Sequence, residues 1–189
     1  MMGLVGAITV LPRSQRQSVK ADVDVMLTMQ QWWWEAEGAL VNPFGNDGHF
    51  GWFTINGRTG EASGGPIDIA AGDLVRLRLY NAGQGVHAMH LHGHDQFRVA
   101  KNGHAVPVVR QTTQSISPGD FFLVEFVARP GNWLFHCHFP HHTANRMLSG
   151  WRGSPVGMSR IFHTAGAPPV PPEYFSDNYY LPPPGVPPR

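Results

Sequence analysis

Short segments of alternating polarity, each closed by a Gly, Pro or Asn turn, run through most of this sequence and leave little room for helix. Asn56-Gly57, Ala71-Gly72-Asp73, Pro118-Gly119-Asp120 and Pro130-Gly131-Asn132 are the clearest turns. Between them, side chains repeat with period two. In Leu74 to Tyr80, Leu74, Arg76 and Arg78 alternate with Val75, Leu77 and Leu79, so one face of an extended segment can be buried while the other meets water. Further strands are expected at Val23 to Met29, Phe53 to Ile55, Pro66 to Ala70, Val86 to His92, Gln96 to Ala100 and Ala105 to Val109. Thr112 to Ile116, Asp120 to Val127, Trp133 to His138 and a closing Val156 to His163 complete the set. Strands of this length and spacing predict an all-β sandwich or barrel.

Composition agrees with that class. Only 14% of the 189 residues are charged, 42% are hydrophobic and 22 are Gly, which suits one compact β domain rich in turns. The formal net charge is +1 and no Lys or Arg run stands out, so neither a nucleic-acid footprint nor a polybasic membrane patch is written here. Met1 to Arg13 is apolar but lacks a basic leading segment, and no segment is long and apolar enough for a membrane helix. Its β-branched residues, stopped by Pro12, read as a strand, and the polar Arg13 to Ala21 as an interdomain linker. Trp32, Trp33 and Trp34 form an aromatic block expected in packing or at an interface. The end, Ala167 to Arg189, holds nine of the 17 Pro residues and reads as a polyproline-like tail. The expected organisation is therefore 1–21 as a strand and linker, 22–166 as the domain, and 167–189 as the tail.

The chemistry lies in two short clusters. With one Cys there is no intrachain disulfide, and most of the 11 His residues fall near it or in one other place. The first cluster is His87-Ala88-Met89-His90-Leu91-His92-Gly93-His94; the second runs from His136-Cys137-His138 through Phe139-Pro140-His141-His142 to Met147. In extended chain His90 and His92 share a face, as do His136 and His138, and Cys137 points away from both of its neighbours. His87 is out of register with His90 and His92 and can serve a different centre. One thiolate, two imidazoles and a weakly held thioether, supplied by Cys137, His87, His142 and Met147, describe a blue-copper electron-transfer site. Four imidazoles without carboxylate, from His90, His92, His136 and His138, suit copper that binds and reduces oxygen. The Cys137 backbone joins the two. Structural zinc is the competitor, but it favours paired Cys or Cys/His mixtures, and a catalytic three-His zinc site would leave Cys137 and Met147 unexplained.

These motifs resemble the signature of the last cupredoxin domain of multicopper oxidases, a family that includes laccases, ascorbate oxidases and bacterial copper-resistance oxidases. The pattern is His-x-x-His-x-His, then His-Cys-His, three residues, His, four residues, and Met or Leu. Every liganding position is filled, and Pro140-His141-His142-Thr143 looks most like bacterial members. The resemblance, spanning roughly Phe50 to His163, implies a cupredoxin-like Greek-key fold. It implies a type 1 copper held by His87, Cys137, His142 and Met147. It also implies a type 2 copper on His90 and a coupled type 3 pair on His92, His136 and His138. His94 and His141 fit no ligand position and are expected to hydrogen-bond or pack beside the ligands. His49, His104 and His163 are isolated, Met89 is expected in the core, and Met158 falls outside the spacing. Arg146 stands where many members have Gly.

A family trinuclear cluster takes eight histidines from two cupredoxin domains, and this sequence supplies four. The simplest expectation is that a preceding cupredoxin domain is missing, Met1 to Pro12 resembling its last strand; a separate chain is the other source of the four His. The implied activity is an oxidase that passes single electrons from a small reducing substrate through type 1 copper to the cluster, where O2 becomes water. A one-domain blue-copper electron carrier is the alternative, and it would have no use for the four outward imidazoles. Copper nitrite reductases share the fold but do not place a second His directly after the Cys, so His138 speaks against them. No Met-rich segment favours cuprous-ion oxidation. Relatives are usually exported, to the periplasm or outside the cell.

Overall fold

In the computed structural model, residues 5–10, 20–33, 51–58, 65–143 and 157–169 are described. Eleven strands are found among them: β1 (Val23–Trp33), β2 (Gly51–Ile55), β3 (Ile67–Ile69), β4 (Leu74–Asn81), β5 (His87–Leu91) and β6 (Gln96–Lys101). They continue with β7 (His104–Gln111), β8 (Thr113–Ile116), β9 (Phe121–Val127), β10 (Asn132–Cys137) and β11 (Ser159–Thr164), with a single helical turn, α1 (Pro140–Thr143), after β10. Two sheets form, ordered β2-β1-β4-β9-β6-β7 and β3-β11-β10-β5-β8. The expected all-β sandwich is therefore what the chain adopts.

Alternation decides which side of each strand is buried. Along β4 burial switches at every residue: Val75, Leu77 and Leu79 are fully covered, while Arg76 bonds Glu125 on β9 and Arg78 bonds Asp24 on β1. The inner faces of β4 and β9 meet Met89, Leu91, Ile116, Phe135 and Phe162 from the second sheet in one hydrophobic core, which also contains Cys137. Burying a side chain of this kind is worth about 1.5–3 kcal/mol, so the core fixes the register of β5 and β10, the two strands that carry the clusters. Register slips are costly because a one-residue shift would turn every inward side chain outward.

Two parallel pairings, β1 with β4 and β3 with β11, cross an otherwise antiparallel arrangement. The loop from β4 to β5 is held by Asn81, whose buried amide donates to the carbonyls of Gly85 (2.7 Å) and Ile116 (3.0 Å) while its oxygen accepts from Gly83 N–H (2.9 Å). This clamp sets the point at which the chain enters β5, two residues before His87.

The structure differs from the expected strands in three places. β1 runs on to Trp33 because β2 offers it a partner, with Trp32 opposite Trp52 and Trp33 opposite Gly51; Trp34 lies outside the described residues. The closing strand begins at Ser159, where pairing with His136 on β10 starts. Residues 5–10, expected to be strand, form none, and Ile8 and Val10 are 93% and 84% exposed. β-branched composition does not make a strand without an edge to pair with. The tail beyond residue 169 and His49 are outside the described residues.

Candidate metal centre

The ends of β5 and β10 lie side by side, antiparallel, with His136 opposite His90 and Cys137 opposite Met89. Beyond the strand, His138 N–H continues the ladder to Ala88 O at 2.6 Å. Because alternate residues face opposite ways, His87, Met89 and Leu91 point into the sandwich and are fully buried, as is Cys137. His90, His92, His136 and His138 sit on the other side, half-buried or exposed. The facing expected from strand parity, with Cys137 turned away from His136 and His138, is what the strands adopt.

The inward centre has three donor atoms. His87 Nδ1 is 3.1 Å from His142 Nδ1, and Cys137 Sγ is 3.3 Å from His142 Nδ1 and 4.0 Å from His87 Nδ1. All three residues are buried, and their ligand atoms fall within 4.8 Å of one another. The centre of that triangle is about 2 Å from each atom, a metal–nitrogen bond length. His142 comes from α1, whose one turn folds the chain back beneath Cys137: His142 N–H and Thr143 N–H both donate to Phe139 O. The His142 ring stacks on Phe53 of β2, with centroids 3.9 Å apart and planes 19° from parallel, and Phe139 leans on it at 5.1 Å.

Burial keeps both kinds of donor uncharged in the metal-free chain. Burial lowers the His87 pKa to about 4, so its imidazole is neutral at pH 7 and offers a lone pair. Burial pushes the Cys137 thiol up. Two imidazole nitrogens facing each other at 3.1 Å beside a sulfur need a shared proton or a metal between them. One sulfur and two imidazoles in a trigonal array are the donors that blue-copper sites use. The set fits copper. The fourth expected ligand, Met147, lies outside the described residues.

On the outward side four imidazoles gather. His92 Nε2 and His136 Nε2 are 3.1 Å apart; the His90 ring lies 5.0 Å from His92, 5.7 Å from His136 and 5.2 Å from His138. Burial, helped by repulsion from His92, His90 and His138, lowers the His136 pKa to about 4 despite its bond to the Cys137 carbonyl. His92 is lowered for the same kinds of reason. Two of the outer rings, His90 and His136, are steered from behind. His90 Nδ1 bonds Thr112 O at 2.8 Å and His136 Nδ1 bonds Cys137 O at 2.9 Å, which leaves the Nε2 atoms to face a common space. Hydrogen bonds of this kind fix the tautomer of a metal-binding His.

His94 hydrogen-bonds and packs beside the outer imidazoles. Its Nδ1–H donates to His92 O (2.9 Å), its Nε2 accepts from Arg129 N–H (3.0 Å), and its ring packs edge-on to Phe126 and Trp133. Met89 is core, and His163 is satisfied by Asn132 at 2.6 Å. The side chain of His141 is outside the described set. Four residues that sequence reasoning missed also shape the site: Gln96, Thr112, Thr143 and Trp133. Gln96, fully buried, donates to the carbonyls of Met89 (3.2 Å) and Thr112 (2.8 Å), so it orders the carbonyl that holds His90.

A two-sheet β fold with a buried Cys-His-His trigonal set beside an open cluster of four imidazoles defines a copper domain of the cupredoxin kind. The multicopper oxidase family profile matches residues 35–155, more than half of the chain, and the chain belongs to that family, whose cofactor is copper. Among solved structures it is similar to the blue copper oxidase from Nitrosomonas europaea (25% identity, TM-score 0.65) and to the multicopper oxidase mgLAC (27%, 0.64). In both comparisons the match covers 89% of this chain and 55% of the other. The iron transport multicopper oxidase fio1 of Schizosaccharomyces pombe is 31% identical over 105 residues, 48% of this chain and 17% of that protein. The chain therefore spans about half, or much less, of the proteins it matches.

Proposed function

We propose that this chain is the C-terminal cupredoxin domain of a bacterial, laccase-like multicopper oxidase, occupying residues 22–166 between a linker (1–21) and a Pro-rich tail (167–189). In this reading His87, Cys137, His142 and Met147 hold a type 1 copper, His90 a type 2 copper, and His92, His136 and His138 the type 3 pair. A preceding cupredoxin domain or a separate chain supplies four more histidines. Copper held by these residues would supply one-electron chemistry, so that four single electrons from a small reducing substrate, with four protons from solvent, could reduce one O2 to two waters.

The observation that carries the reading is the placement of two donor sets on opposite faces of one strand end. Cys137 aims into the buried trigonal set, while His136, one residue earlier, and His138, one residue later, join the outer imidazoles. The protein's own part is positional. The buried pocket keeps His87 neutral, Phe53 and Phe139 pack on the His142 ring, and Thr112 O and Cys137 O orient His90 and His136. A one-copper electron carrier would leave the four outer rings without use.

The test is copper loading of the full chain, with copper per chain, absorption and electron paramagnetic resonance recorded together. A thiolate-to-copper band lost in Cys137→Ser is the expected result. No such band in the wild-type chain would overturn the assignment of the inner site. Co-expression with a coding region for a second cupredoxin domain is expected to bring O2 consumption; a chain that binds one copper and stays inert with every such partner would favour the carrier.

A further inference from the structure

Thr143 is half-buried and follows His142 in α1, and its hydroxyl touches three groups. It donates to the Cys137 carbonyl in a short contact, lies 3.3 Å from Phe139 O, and lies 3.3 Å from His136 Nδ1. Its backbone joins the same arrangement, since Thr143 N–H bonds Phe139 O (3.1 Å) and Thr143 O accepts from Gly157 N–H (2.7 Å). One side chain thus ties the turn that carries His142 to the strand end that carries Cys137 and to the ring of His136. The Cys137 carbonyl is the shared point. It accepts from the Thr143 hydroxyl and from His136 Nδ1–H, as a carbonyl with two lone pairs can.

We propose that Thr143 is a positioning residue that links the two centres. By fixing the Cys137 carbonyl it holds His136 in the tautomer with the proton on Nδ1, so that Nε2 keeps its lone pair and faces His92 Nε2. The hydroxyl works from between the sites: its proton is directed to the Cys137 carbonyl, and its oxygen lies beside His136 Nδ1. A methyl in its place would leave the carbonyl with one donor and the turn free to shift against the strand. This inference rests on the reading of His136 as a ligand, but the tautomer itself is a property of the metal-free chain.

The experiment is nitrogen-15 NMR of the His side chains in the full-length, metal-free chain at neutral pH, comparing wild type with Thr143→Val and Thr143→Ser. Val keeps the shape and removes the hydroxyl; Ser keeps the hydroxyl. In wild type and Thr143→Ser, His136 is expected as one tautomer with an Nδ1 proton shifted downfield and slow to exchange. In Thr143→Val that proton signal is lost or exchanges at least about tenfold faster, and the second tautomer becomes populated. A Thr143→Val chain that is folded and keeps the wild-type His136 pattern would overturn the proposal, as would failure of Ser to restore it. If Val does not fold, Thr143→Ala gives the same readout. A copper titration of the same samples separates the two ideas. The thiolate band is expected in wild type and Thr143→Ser, and its absence from wild type would count against the copper assignment without touching the tautomer result.

Discussion

Gly93, between His92 and His94, is the position where the outer site depends most sharply on the absence of a side chain. Its φ is +68°, and a Cβ built there would lie 2.1 Å from Trp133 Cζ3, 2.5 Å from Cε3 and 2.8 Å from Cη2. Gly93→Ala meets two costs. An L-residue in the left-handed region loses roughly 1 kcal/mol, and forcing a packed ring aside adds roughly 1–3 kcal/mol. Trp133 cannot retreat freely, because its indole N–H donates to Arg129 O at 2.9 Å and its ring meets His94 at 5.1 Å. The expected loss is therefore about 2–4 kcal/mol. Gly72→Ala is the internal control: φ is +93°, and nothing lies within 4 Å of the added Cβ, so only the backbone cost of about 1 kcal/mol applies. Urea unfolding of both metal-free variants, with equal slopes, reads the difference directly. If Gly93→Ala costs no more than Gly72→Ala, the close approach of Trp133 does not constrain this turn and the reasoning fails.

Other consequences can be measured on the same metal-free chain. His87 is held near pKa 4 when folded and returns to about 6.5 when unfolded, so the unfolded state binds the extra proton between these values. Its contribution is at its fullest above pH 6.5 and falls as the pH drops toward 4, by up to roughly 3 kcal/mol; urea midpoints that stay flat from pH 7 to 4.5 would contradict it. Gln96→Leu strips donors from the carbonyls of Met89 and Thr112 and is expected to cost about 1–2 kcal/mol. It should also disturb the His90 ring signal more than that of His87, and the reverse order would argue against the Gln96–Thr112–His90 chain. Chelation of a copper-loaded sample should lower the melting temperature only where Cys137 is intact. An equal fall in Cys137→Ser would move the main binding site away from the inner triad.

How far the site could be read before folding follows from how local each determinant is. The split between Cys137 and its neighbours is a matter of strand parity, set within three residues, and Val75, Leu77 and Leu79 show the same parity in the core. His142 was placed by spacing alone; an extended reading could not give its direction, which comes from the turn of α1 and from Phe53, nearly 90 residues earlier in the chain. β1 extends past its alternating segment because Trp32 and Trp33 owe their strand state to pairing with β2. Residues 5–10 show the opposite case, since a strand-like composition found no edge. Gly93 gave no warning because its partner, Trp133, arrives from another strand. Thr143 and Gln96 are polar residues whose work lies in hydrogen bonds across elements, and no periodicity marks such bonds.

The two donor sets also differ in what the domain alone completes. The inner triad is closed by its own core: His87, Cys137 and His142 are buried by Phe53, Met89 and the sheet interior, so three of its donors converge whatever lies outside. The outer rings converge only in part. His92 and His136 approach closely, yet among the described residues no group of three of the four outer rings brings its ligand atoms within 4.8 Å of one another. Rings left half-exposed on a sheet end are expensive to hold in place without a ligand, because each is free to turn except where Thr112, Cys137 and Thr143 bond it from behind. That backing makes sense as preparation for donors arriving from the open side. It predicts an order of assembly: copper binds first and more tightly at Cys137. The outer histidines gain comparable affinity only when a second cupredoxin domain is present, a sequence of events that stoichiometric titration with and without that domain would reverse if the argument is wrong.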